Sequence, residues 1–432
     1  MPRYTVADLG DEVGRIVRVC GWLQPAGPAA EPEPAGSGTL ADRTGAVRLT
    51  MPSDAVPNPG SAVEVVGTVV GTVAAAAGQS LELIVDRLSV AGPAEPDLPV
   101  SAASTQAERL DWRHLDLRRP GAQLILRVQT TLEQALRAAW AEEDFIEIHS
   151  PKLIPTGPRP QELFDLRYFE RTAWLAQSPQ FYKQMAMAAG LDRVFEIGPV
   201  FRYEPAVSPV HATEFTSVDV ELAWIDSEAD VMAAAELWLR AAIDAVARRH
   251  GDDIAALFGI RVAVPVVPFP RYTLSQAWEI ARTAGHDGGG GDSGEGDDLD
   301  RDGECLLGRH VADRHGHQFV WVTDYPESAR PFFHMRSAEG SSLSRSFDLL
   351  WNGIEVASGA QREHRHDRLL DQARSRHVPL DPIHRFLDFF RYGCPPHGGL
   401  GFGLSRLLMC LLGLPDIREA TLLPRDRERM TP

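Results

Sequence analysis

The chain has 432 residues, 44% of them hydrophobic and 24% charged, which is enough for two or three domains with their own cores. That composition excludes wholesale disorder, and the lack of any run of about 18 apolar residues excludes a membrane-spanning helix. The net charge of −17 argues against a generic nucleic-acid coat while leaving 43 cations for local basic surfaces.

The opening Met1-Pro-Arg-Tyr-Thr-Val-Ala-Asp-Leu has neither the basic start nor the apolar stretch of a signal peptide. Cys20, Cys305, Cys394 and Cys410 form no CxxC pair, so a cytoplasmic protein without a disulfide framework or zinc site is expected. Of the 43 cations, 41 are Arg and two are Lys, at 152 and 183. Where Arg is the default cation, a Lys marks a place that takes a compact ammonium but not a planar fork.

In chain order, Arg15–Trp22, Gly45–Met51, Ala62–Val73 and Leu81–Val90 are short Val/Ile/Leu-rich segments punctuated by Gly, Pro and Asp. They predict a small β-barrel of the OB type over 1–92, interrupted by a low-complexity loop at Pro25–Gly38. Ala91–Ser104 reads as a linker, and 93–118 as the hinge to a second domain over 119–432. There Leu124, Val128, Leu132, Leu136, Ala139 and Trp140 fall at helical spacing. Phe145–Pro151, Val194–Tyr203 and Thr216–Trp224 alternate as strands, Ala229–Arg249 is helical, and 285–300 is a glycine-rich acidic loop. Strands and helices are segregated, so the fold class is α+β rather than doubly wound.

Four segments carry chemistry. Gln177-Ser-Pro-Gln-Phe-Tyr-Lys-Gln holds Ser178, Gln180 and Lys183. Val194–Glu204 and Glu214–Leu222 form a hairpin presenting Arg202, Glu204, Asp219 and Glu221, with an Arg fork suited to phosphate and Phe215 placed to stack on a base. Taken alone, such a charged hairpin is more often a solvated sheet face. Phe347–Arg362 contains the hairpin turn Asn352-Gly353, whose pairing is expected to bring Asp348 near Glu355 as a hard-cation pair suited to Mg²⁺. In Arg391–Leu412 a glycine-rich strand enters an apolar helix with Arg406 in its first turn, which attracts phosphate. Leu404 stands where a Rossmann fingerprint needs its last Gly.

In this order the segments resemble the class II aminoacyl-tRNA synthetases, and within them the archaeal-type aspartyl enzymes and their asparaginyl relatives. Phe145–Pro151 is similar to motif 1, Phe201–Thr216 to motif 2 and Gly399–Leu407 to motif 3, and Ile417–Asp426 and Met430-Thr-Pro match the family's tail. The resemblance implies an antiparallel catalytic sheet flanked by helices behind an anticodon-binding OB barrel. It also implies activation of aspartate with ATP and Mg²⁺, transfer to tRNA(Asp) with tRNA(Asn) as a second candidate acceptor, and a homodimer joined through the motif 1 helix, Leu124–Glu143.

By matching position, Arg202, Glu204, His211, Phe215, Glu355, Gly403, Leu404, Ser405 and Arg406 would meet ATP, with Arg202 and Arg406 on its phosphates. Glu355, Ser358 and Asp348 would hold Mg²⁺, while Gln177, Ser178, Gln180, Lys183, Asp219, Ser358 and Arg362 would surround aspartate. Lys183 and Arg362 would pair its side-chain carboxylate, which suits aspartate better than asparagine.

Three departures from the family, at four positions, matter. Pro158 replaces a Glu that binds the substrate's α-amino group, Val210 replaces an Arg beside His211, and in the barrel Ser37 and Arg48 replace an anticodon-stacking aromatic and a base-reading Gln. The sequence therefore leaves three readings: an aspartate–tRNA ligase, a paralogue that adenylates aspartate or a related acid for another acceptor, and a non-catalytic ligand- or RNA-binding relative.

Overall fold

A computed structural model describes residues 1–24, 36–52, 56–74, 78–101, 103–155, 162–205, 207–286 and 297–432. Pro158, most of the low-complexity loop predicted at Pro25–Gly38 and most of the acidic loop at 285–300 lie outside the described residues. The chain divides into two compact units, residues 1–123 and 124–431.

In the first unit β1 (Ile16–Gln24), β2 (Ser37–Asp42), β3 (Gly45–Thr50), β4 (Ala62–Ala74) and β5 (Gly78–Gly92) close on themselves. β1 pairs with both β2 and β4, β2 pairs with β3, β3 runs parallel to β5, and β5 returns to β4. Period-two alternation turns Val17, Val19, Leu40, Val47, Leu49, Val63, Val65 and Leu83 inward to a common core, which gives the expected OB-type barrel. β2 starts at Ser37, two residues earlier than the loop prediction allows. Within 93–118 lie two short helices, Gln106–Asp111 and Arg113–Asp116; Asp116 is buried between Arg113 (2.5 Å) and Arg119 (3.0 Å).

The second unit is built on an eight-stranded sheet. Its strands are β6 (Ile146–Glu147), β7 (Arg193–Phe201), β8 (Glu214–Ala223), β9 (Arg271–Thr273), β10 (Phe319–Thr323), β11 (Ser346–Trp351), β12 (Ile354–Arg362) and β13 (His397–Gly403). Their order is β9-β10-β11-β12-β13-β8-β7-β6, antiparallel except for the terminal pairs β9/β10 and β7/β6. One face carries the main core. Val218, Val220, Leu222, Leu400 and Phe402 pack there against α1 (Pro120–Glu142) and α3 (Glu228–Phe258). On the other face lies α2 (Gln180–Ala188), and β13 runs directly into α4 (Leu404–Leu412).

Two sequence expectations change. The strand read at Phe145–Pro151 shrinks to two residues, because after one further bond from Ile148 N–H to the Phe195 carbonyl the chain leaves the sheet edge. The apolar stripe Leu124, Val128, Leu132, Leu136 and Trp140 is at most 1% exposed within the chain's own core. The stripe read as available to a two-fold partner is thus part of the chain's own core.

Candidate active site

The sheet face opposite the main core opens into a cavity of about 1340 Å³. Gln177, Ser178, Gln180, Arg202, Glu204, His211, Phe215, Asp219, Glu355, Ser358, Arg362, Gly403, Ser405 and Arg406 all line it. Asp348, Lys183 and Leu404 do not. Leu404 points into the main core at 2% exposure, since the first turn of α4 alternates between core and cavity.

At one end of the cavity, charges are buried in a closed network. Lys183, on α2, is fully buried, and its ammonium donates to Asp219 Oδ1 (2.8 Å) and to the Leu400 and Val220 carbonyls (3.3 and 3.4 Å), with Glu221 Oε2 at 3.5 Å. Arg362 donates from Nε to Glu221 Oε1 (3.0 Å), from one terminal nitrogen to His334 Nε2 (2.7 Å) and from the other to the Gly399 carbonyl (3.0 Å). Asp219 also accepts from Ser217 Oγ at 2.5 Å. Two cations thus face two carboxylates, as removal from water requires. Arg362 and Lys183 hold Glu221 below the usual carboxylate range even though burial opposes ionisation.

Bare strand makes this packing possible. A Cβ at Gly399 would collide with the Val220 carbonyl and the Glu221 carboxylate, and one at Gly401 would lie 3.2 Å from Asp219 Oδ1. Lys183 therefore sits beneath the cavity floor as the counter-ion of Asp219 and Glu221, and Arg362 alone of the expected cation pair reaches the cavity. The other lysine, Lys152, bonds Glu196 (2.7 Å) and Ser150 (3.0 Å).

The other end is looser. Arg202 is exposed and lies over Phe215, its guanidinium carbon 5.2 Å from the ring centre. Arg406 donates to the Val210 carbonyl (3.0 Å) and the Glu355 carbonyl (2.9 Å). The contact with residue 210 is through the backbone, so it survives the Val210 departure. His211 Nδ1 meets Ser208 Oγ at 2.6 Å, and burial lowers the imidazole's pKa. Gln177 donates to the Glu162 carbonyl (2.6 Å), Ser178 Oγ accepts from the Gln180 N–H (3.2 Å), and Gln180 donates to Gln184 (3.2 Å).

Asp348 and Glu355 share a face of the hairpin, but the register beside them is shifted. Glu355 is paired with Leu350, as the two-residue turn requires, but Asp348 is paired with Ser358 and not Ala357, because Val356 is an extra residue at a β-bulge. The bulge brings Ser358 onto the face that Asp348 and Glu355 share. Asp348 is held by both terminal nitrogens of Arg330 (3.1 and 2.5 Å), whose plane lies on Tyr325. Glu355 keeps 37% of its side-chain surface but lies deep in the cavity wall, where burial and the Asp348 charge push it up to about 7. Glu304 behind it is pushed to about 8 by burial and by Glu355, against the pull of Arg301 at 3.1 Å.

Sequence reading passed over Arg330 and His334. Both lie in Arg330-Pro-Phe-Phe-His, where one more Arg among 41 carries little information and only the neighbouring His was a signal.

The profile of the family described as tRNA synthetases class II (D, K and N) matches residues 105–427. The chain belongs to that family. An aspartate–tRNA(Asp) ligase of Pyrococcus horikoshii is 39% identical over 437 aligned positions, covering 97% of each chain. An aspartate–tRNA(Asp/Asn) ligase of Aeropyrum pernix is 38% identical, covering 97% of this chain and 96% of its own. Among solved structures, the asparaginyl-tRNA synthetase of P. horikoshii complexed with asparaginyl-adenylate superposes with a TM-score of 0.87 at 26% identity, covering all of both chains. The aspartyl-tRNA synthetase of Entamoeba histolytica gives 0.86 at 26% identity, covering all of this chain and 93% of its own.

Class II synthetases use ATP, generally with Mg²⁺. Among the described residues no group of three or more His, Cys, Asp or Glu could hold a metal ion. Asp348, Glu355 and Ser358 instead offer a sparse, hard oxygen set, in which burial and then the Asp348 charge raise the Glu355 carboxyl. That fits an ion carrying its own waters and substrate phosphates, as Mg²⁺ does, and not a protein-caged one. No described helix is long and apolar enough to cross a membrane.

Proposed function

We propose that this class II synthetase is an aspartate–tRNA ligase. A carboxylate oxygen of aspartate attacks the α-phosphorus of ATP, the bond to the β-phosphate oxygen breaks, and pyrophosphate leaves. A ribose hydroxyl of the terminal adenosine of tRNA(Asp) then attacks the aspartyl carbonyl and AMP departs. The observation that carries this reading is one cavity with a buried Arg at one end and exposed Arg–aromatic groups at the other.

Arg362 pairs the side-chain carboxylate; an amide there would leave its charge unsatisfied, which favours aspartate over asparagine. Asp219 faces the α-ammonium, with Gln177, Ser178 and Gln180 alongside. Phe215 stacks on adenine, Arg202 takes the α-phosphate, and Arg406 the γ-phosphate, with Glu204, His211, Gly403 and Ser405 bordering the nucleotide. Glu355 and Ser358, with Asp348 behind, would hold Mg²⁺, which would supply positive charge to neutralise the phosphates. The residues themselves orient the reactants and stabilise charge that develops in transfer.

The barrel reads the anticodon, and Ser37 and Arg48, on adjacent strands β2 and β3, relax that reading towards tRNA(Asn). We assign the barrel to 1–92, the hinge to 93–118 and the catalytic domain to 119–432, a boundary a few residues before the break between the compact units at 123/124. We also infer a homodimer, supported by the edge strand β6, whose Ile146 is 44% exposed. Sedimentation should give twice the 47.4 kDa chain mass. Four free cysteines suit a reducing cytoplasm.

The test is ATP–pyrophosphate exchange with each of the twenty amino acids, followed by aminoacylation of tRNA(Asp). Aspartate alone should support exchange, and tRNA should be charged. Exchange without charging would favour the second reading, a paralogue with another acceptor, which Pro158 supports by removing the Glu that binds the α-ammonium. Pro158→Glu should sharpen selection of aspartate over acids lacking the amino group.

A further inference from the structure

Arg362 is fixed on three sides by partners of different charge. Glu221 is an anion already shared with Lys183, Gly399 offers a carbonyl, and the third partner is the imidazole of His334, 7% exposed and on the cavity wall.

The protonation of that imidazole follows from the bonds behind it. Ser344 Oγ donates its one proton to the Tyr325 carbonyl (3.0 Å), so across the 2.8 Å contact with Ser346 it must accept. Ser346 then spends its own proton on Ser344, and across the 2.8 Å contact with His334 Nδ1 it too must accept. His334 therefore carries its proton on Nδ1 and presents a bare lone pair at Nε2, where the Arg362 N–H arrives at 2.7 Å. Every donor in the chain points the same way, from Arg362 to the Tyr325 carbonyl. Burial, with the Arg362, Arg330 and Arg376 charges, keeps the imidazole's pKa well below its ordinary value. A second proton would set two N–H groups against each other.

We propose that His334 is a positioning residue for Arg362, a neutral acceptor that aims the guanidinium at the amino-acid end of the cavity without cancelling its charge. Three of the five guanidinium N–H groups are engaged by Glu221, His334 and Gly399, and two remain, the number a bidentate carboxylate uses. A carboxylate at 334 would satisfy the same N–H but compete with the substrate for the charge. The inference rests on the reading of Arg362 as the partner of the aspartate side chain.

The decisive comparison is between His334→Gln and His334→Glu, which are nearly isosteric. A Gln carbonyl can accept from Arg362 while its amide donates to Ser346, so this variant should keep the aspartate KM in pyrophosphate exchange within a few-fold of the wild type. His334→Glu should raise it by at least about tenfold over Gln, and His334→Ala by about 10- to 100-fold over wild type, the loss expected for one charge-assisted bond. The ATP KM and kcat should stay within about twofold in all three, with thermal unfolding confirming a folded protein. Equal aspartate KM values for Gln and Glu, or a parallel rise in both KM values, would reduce His334 to a structural role and overturn the inference. A wild type that shows no aspartate-dependent exchange would overturn the functional reading instead.

Discussion

The two ends of the cavity solve opposite problems. At the end proposed for the amino acid, Lys183, Asp219, Glu221, Arg362 and His334 are buried and bonded to one another. At the end proposed for the nucleotide, Arg202 is exposed on Phe215, Arg406 is held by carbonyls, and Glu355 is crowded by Asp348. A small substrate that must be told from close analogues meets rigid, prepaid geometry. A nucleotide carrying several negative charges can complete a site left electrostatically unfinished.

If that contrast holds, mutations at the two ends should fail differently. The largest effect is expected for Lys183→Ala, which strands two buried carboxylates with one remaining cation. Urea unfolding should show a loss of about 3–5 kcal/mol, and a loss below about 1 kcal/mol would mean the closed network is dispensable. Next, Arg202→Ala and Arg406→Ala should each remove about 2–4 kcal/mol of transition-state stabilisation. The readout is kcat in pyrophosphate exchange, and for the exposed Arg202 the melting temperature should hardly move. Phe215→Ala should raise the KM for ATP by the equivalent of about 1–3 kcal/mol of base stacking and leave the aspartate KM alone; a shift in both would dissolve the distinction between the two ends.

The smallest effect concerns Glu304. Its folded pKa of about 8 stands above the ordinary 4.5, so between those values the native chain holds a proton that the unfolded chain has released. Stability contributed by this group therefore falls as pH rises through that window. Glu304→Gln should leave the melting temperature unchanged near pH 4 and raise it by about 2–4 °C at pH 8.5.

Much of this was legible in the chain itself. Alternation placed the barrel strands and the hairpin of β7 and β8, and Asn352-Gly353 marked the turn where both residues take positive φ, 50° and 74°. The bulge at Val356 was not legible, because counting back from the turn assumes one residue opposite one, and a single extra residue changes which side chains share a face. Lys183 was conspicuous by rarity, but its burial was hidden, since the inward face of α2 carries Lys183 and Gln184 beside Ala186 and Met187. Position could be inferred there; surroundings could not. His334 escaped notice because its importance lies in partners 12 and 28 residues away, Ser346 and Arg362, which only the fold brings together.

The glycines of β13 bear on attempts to redesign the amino-acid preference. Gly399 and Gly401 are the mould against which Glu221 and Asp219 are cast, and those acids in turn hold Lys183 and Arg362. A library that varies only the charged residues leaves this mould in place. One that adds even a methyl group at 399 pushes Glu221 aside and loosens both cations together. The strand with the least side-chain chemistry is thus the part of the pocket that sets how far its specificity can be moved.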